Sequence, residues 1–92
     1  MTWDGYPGAE LIEPGLRDYA RGVVSDNALL VSIVRPRLLR HGIALEERAV
    51  GLQSPNETLY LRLARRHGDG AHSEYNALVR RATKFCAALD QA

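Results

Sequence analysis

The sequence predicts an all-α fold: a compact bundle of four helices, five if a connecting turn is helical, with the last two paired as an antiparallel hairpin. Three patterns carry that prediction. Ala71, Tyr75, Leu78, Ala82, Phe85 and Leu89 alternate spacings of four and three, the rhythm of a packed helical seam. Segments with helical periodicity are bracketed by serine, aspartate or proline before them and glycine after them, the chemistry of helix starts and stops. The β-branched run Val31, Ile33, Val34 could form a strand, but no second run offers it a partner.

In chain order, residues 1–9 hold two glycines, a proline and two aromatics without periodicity, and are expected to form a flexible tail pinned by Trp3 or Tyr6. Residues 10–92 then make a single helical domain. A first helix should start near Pro14, whose fixed φ suits a first helical position. Leu16, Tyr19, Ala20 and Val23 recur at helical spacing, and Gly22 marks the stop.

The second helix begins with Ser25 as N-cap and Asp26 in the first turn, where negative charge meets the positive end of the helix dipole. Ala28 to Val34 is apolar nearly all round, so this element should be central and buried. Pro36 cannot donate to the Ser32 carbonyl, which predicts a kink or a break. Gly42 followed by Ile43 fits a left-handed stop with a hydrophobic contact behind it. A connection over 44–53 follows, with room for one helical turn and a solvated Glu46–Glu47 pair.

Ser54, Pro55 and Glu57 have the spacing of a capping box for the third helix, which ends at Gly68. Asp69 is placed to cap the fourth, in which Val79 and Cys86 widen the seam.

At 92 residues and 46% hydrophobic, the chain is one small domain that gains much from a partner or from dimerisation. A net charge of +1, from 12 basic and 11 acidic residues, argues neither for an obligate nucleic-acid binder nor for a membrane-surface protein. Cys86 is the sole cysteine, so no internal disulfide forms, as suits a reducing cytoplasm. The apolar run ALLVSIV is too short to cross a bilayer, and MTWDGYPGAE lacks a signal peptide's basic start and apolar core. A cytoplasmic location is expected.

Several clusters offer side chains with potential for chemistry. Arg62 and His67, with four residues between them, are similar to the arginine–histidine motif of helical ribonucleases, which would give both residues catalytic roles. At about 100° per residue, however, the two side chains project roughly 140° apart on one helix. With Arg65 and Arg66, His67 more simply places cations at the negative end of the helix dipole. His67, Asp69, His72 and Glu74 offer imidazole and carboxylate in one turn region, but without the spacing of a zinc site, and no metal or cofactor is expected.

Arg35, Arg37, Arg40 and His41 form the densest basic cluster; its three arginines, with Arg65 and Arg66, are candidates for contact with nucleic-acid phosphate. A helix-turn-helix reader is a poor fit, because the segment where its recognition helix would lie is too apolar to face a groove.

The fourth helix carries the favoured candidate. His72, Asn76, Arg80 and Lys84 share one polar ridge, and no acidic residue stands four positions from either cation to relieve their mutual repulsion. The expected function is therefore non-enzymatic: a small interaction or regulatory module, such as an antitoxin- or inhibitor-like regulator. It would bind a protein partner or itself through helical faces, with that ridge as the contact surface. Nucleic-acid binding and ribonuclease activity are the alternatives.

Overall fold

A computed structural model describes residues 3–45 and 54–91. Among them all regular structure is helical, with no strand: α1 (Ala9–Ala20), α2 (Asp26–Arg40), α3 (Pro55–His67) and α4 (Ala71–Gln91). A single 3-10 turn, Gly68–Gly70, joins the last two. No described helix is long and apolar enough to cross a membrane. The helical turn expected after Leu45 and the Glu46–Glu47 pair lie outside the described residues.

The run with strand-like residues is the centre of α2. Ala28, Leu29, Leu30 and Val31 have no exposed surface, and Val34 and Leu38 are buried with them. An element apolar on all sides needs neighbours on all sides, and α2 packs against α1, α3 and α4. Ile12 and Tyr19 of α1, Leu59 and Leu63 of α3, and Ala71, Ala82, Phe85 and Cys86 of α4 complete the core. The α4 seam thus faces inward.

The α1–α2 contact is close because Gly15 lies in it. A Cβ on residue 15 would stand 2.5 Å from the Asn27 carbonyl oxygen and 2.8 Å from a Val31 methyl. At the other end of α1, Gly8 is buried with φ of 81°, and a Cβ there would run into the Arg81 carbonyl of α4.

That glycine explains one departure from expectation. The first helix starts at Ala9, five residues ahead of Pro14, and Pro14 lies inside it. The Gly8 carbonyl accepts from the amides of Leu11 (2.9 Å) and Ile12 (3.1 Å), and burial of Ile12 holds the opening turn against the core. Pro14 removes one donor, to the Glu10 carbonyl, from a turn that packing has already fixed. Similarly, α2 runs unbroken through Pro36 to Arg40, anchored beyond the proline by the fully buried Leu38.

The stops predicted at Gly22 and Gly42 form by the same device. At Gly22 (φ 72°) and Gly42 (φ 79°) the chain turns left-handed. The next amide reaches back to the helix: Val23 to the Asp18 carbonyl at 2.9 Å, and Ile43 to that of Leu38 at 3.2 Å. Ser25 caps α2 through its hydroxyl, which accepts from the Ala28 amide at 3.1 Å and donates to Asp18 at 2.7 Å. Ser54 stands at the N-cap of α3 with Pro55 after it, but its side chain makes no cap hydrogen bond, so the expected capping box is not formed.

Residues ahead of α1 pack on the core. The Trp3 ring meets Phe85 edge-on at 5.5 Å, Tyr6 approaches the same ring at 6.0 Å, and the Trp3 amide donates to Glu13 at 3.0 Å. Both aromatics expected to pin this segment do so.

Candidate functional site

The predicted ridge is an exposed face of α4: His72, Asn76, Arg80 and Lys84 all lie open to solvent. Its first two residues form one wall of a groove of about 530 Å³ between α3 and α4. Tyr75 belongs to the same wall, and Asn56, Glu57, Tyr60 and Leu61 form the other. Two tyrosines meet within the groove: the rings of Tyr60 and Tyr75 are 5.7 Å apart and near-perpendicular, an arrangement that aromatic quadrupoles favour. The Asn56 amide donates to the Tyr75 hydroxyl at 2.9 Å, and Asn76 Nδ2 stands 3.2 Å from His72 Nε2. These contacts fix the walls and leave apolar surface showing, since Leu61 is 52% and Tyr60 38% exposed.

Beyond the groove the ridge continues to Arg80 and Lys84. Neither forms an ion pair with a described residue, whereas Arg81 beside them pairs with Glu10 of α1. That bond holds the Glu10 carboxyl below its ordinary pKa.

The residues considered for nucleic-acid contact divide in the structure. Arg37 donates to Asp90 at 2.9 Å, and His41 stands 2.5 Å from the same carboxylate. The His41 and Arg37 hydrogen bonds, in that order, hold Asp90 below its usual pKa. Arg66 is bonded to Asp26, which also accepts from Arg62 Nε at 2.9 Å. Arg35 donates to the Leu45 carbonyl at 3.4 Å, and its Nε is buried without a partner. Arg40 and Arg65 are exposed and have no described carboxylate against them. The five arginines therefore do not form one open basic face: Arg37 turns toward Asp90 at the end of α4, Arg66 toward Asp26 at the start of α2, and Arg35 toward Leu45.

Arg62 and His67 do not share a site. Arg62 is bound to Asp26 and lines a concavity with Arg65 and Arg66, while His67 ends α3 in solvent. Among the described residues, no three of histidine, cysteine, aspartate and glutamate are grouped to hold a metal ion. A further groove, of about 590 Å³, is lined by Leu16, Tyr19, Ala20, Leu39 and Ile43 to Leu45.

Sequence reasoning missed the three carboxylates that tie the helices together, Glu10, Asp26 and Asp90. Their partners stand 36 to 71 positions away along the chain, so no local spacing announces them. It also missed the tyrosine pair, because Tyr60 reads as part of an apolar stripe whose true inward edge is Leu59 and Leu63.

Comparison of the chain with protein-family models, with curated proteins and with solved structures finds no match. The functional reading therefore stands on geometry.

Proposed function

We propose that this protein is a small non-enzymatic interaction module that binds a protein partner, or a second copy of itself, through its α3–α4 face. In this reading the domain is a four-helix bundle, its last two helices form an antiparallel hairpin, and the module acts as an antitoxin- or inhibitor-like regulator. One observation carries the proposal: an aromatic groove with exposed Tyr60 and Leu61 runs on into two cations, Arg80 and Lys84, that no described carboxylate satisfies. Aromatic anchors beside unpaired arginine and lysine are the makings of a protein interface, with the apolar groove supplying affinity and the charges supplying orientation.

The nucleic-acid alternative is weakened by the structure's own pairing. Its five candidate residues are divided between two helices and turned to different partners, Arg37 to Asp90 and Arg66 to Asp26, so they do not present one continuous basic surface to a nucleic-acid backbone.

The test is the double variant Arg80→Glu, Lys84→Glu. Association, read by sedimentation for self-binding and by capture from native lysate with and without nuclease, should weaken at least roughly tenfold. The melting temperature should stay in place, since both residues are exposed and unpaired. Association that is unchanged by the charge reversal, or that nuclease treatment abolishes, overturns the proposal.

A further inference from the structure

We propose that Arg62, Arg65 and Arg66 form a receptor for a single phosphate group, either inorganic phosphate or the phosphomonoester of a small molecule. Asp26 would be the internal carboxylate that the ligand displaces.

The three arginines recur at i, i+3 and i+4 on α3, so they project from one face. There they line a concavity of about 220 Å³. On the helix wheel the middle of that face lies more than about 120° from Asn56, Glu57 and Tyr60, and only Leu61, about 40° from Arg65, borders it; the concavity and the α3–α4 groove share no lining residue. Three guanidinium groups surround the concavity and, among the described residues, one carboxylate answers them, which leaves a formal excess of two positive charges. That excess matches a phosphate dianion.

The geometry of the existing pair shows what remains unsatisfied. A carboxylate has two oxygens, and Asp26 directs one to Arg62 Nε at 2.9 Å and the other to Arg66. Arg65, on the same concave surface, receives neither and has no other described partner. A phosphate group offers three acceptor oxygens at the corners of a tetrahedron and can engage all three planar forks, where the carboxylate reaches two.

The second observation is independent of the arginines. Asp26 is the first residue of α2, so the carboxylate sits at the positive end of a helix dipole, where anions are stabilised by unpaired amides. Of the opening amides, that of Ala28 is taken by the Ser25 hydroxyl. A phosphate seated where the Asp26 side chain lies would gain both the dipole and the third arginine.

The experiment is a titration of the full chain with sodium phosphate against sodium chloride at matched ionic strength, read by the NMR signals of the arginine Nε–H groups. Glycerol phosphate serves as the phosphomonoester arm. Saturable shifts at Arg62, Arg65 and Arg66 with phosphate, and not with chloride, are expected. Tighter binding of glycerol phosphate would assign the site to an ester, and equal or weaker binding to the free ion.

Arg65→Ala should weaken binding roughly tenfold, the loss of one charge-assisted hydrogen bond. Because Arg65 holds no described partner, this variant should melt where the parent does. Asp26→Asn should tighten binding, since two guanidiniums are released. Shifts that chloride reproduces, an Arg65→Ala variant that binds phosphate as the parent does, or weaker binding by Asp26→Asn would each overturn the proposal.

Discussion

The α1–α2 and α3–α4 contacts are both helix pairs joined by short turns, yet they are built from opposite materials. Between α1 and α2 the central residue is Gly15, and the Asn27 backbone fills the place a side chain would take. Between α3 and α4 the outer edge of the contact is made by Tyr60, Tyr75, Asn56 and Asn76, with an open groove left among them. Packing backbone against backbone leaves no room for anything else and yields a rigid, dry contact. Large polar-tipped rings that meet edge to face instead leave surface that a third body can use. The contrast locates scaffold in the first pair and the proposed docking face in the second.

The largest effect that tests this contrast should come from Gly15→Ala. Alanine is the better helix former by about 1 kcal/mol, so a gain is expected if the α1–α2 contact were loose. The close approach of Asn27 and Val31 predicts the reverse, a loss of about 1–3 kcal/mol in urea unfolding. Next is Ser25→Ala, which removes the α2 cap and the bond to Asp18 together and should cost about 1 kcal/mol; a neutral result would mean the α1–α2 turn contributes little to the contact.

Acid should discriminate as well. Burial raises the Asp26 carboxyl's pKa, but hydrogen bonds from Arg62 and Arg66 outweigh it and hold the group below its ordinary 3.8. A carboxyl whose folded pKa is depressed stabilises the fold above its unfolded pKa, and that stability is lost as pH falls through the folded value. Stability of the parent should therefore decline below about pH 4 more steeply than that of Asp26→Asn, as measured by urea unfolding across that range. The smallest effect belongs to the groove: Tyr75→Phe removes the exposed bond from Asn56 and should change stability by no more than about 0.5 kcal/mol. A cost as large as that of Gly15→Ala would erase the distinction between the two contacts.

What the sequence revealed follows from the range of the physics involved. The helical class, the buried α2 and the stops at Gly22 and Gly42 depend on periodicity and on backbone chemistry a few residues long, and they were legible. The start of α1 was not, because Pro14 announces a first turn while the deciding contacts, Gly8 on Arg81 and Ile12 in the core, come from packing. Breakage at Pro36 was over-read for the same reason: Leu38 beyond it is fully buried. Of the site, the ridge could be seen as a polar stripe on one helix. Its continuation into a tyrosine-lined groove could not, since half of that groove belongs to α3. The Arg62 and Arg66 bonds to Asp26 bridge 36 and 40 positions and required the fold itself.

Cys86 gives the molecule a built-in clock. Its sulfur has no exposed surface, and burial pushes the thiol above its ordinary pKa, so reagent in the surrounding buffer meets neither an accessible atom nor a thiolate. Labelling must wait until α4 parts from its neighbours. Since the chain holds no second cysteine, the rate at which an alkylating dye is taken up times that separation without any engineered probe.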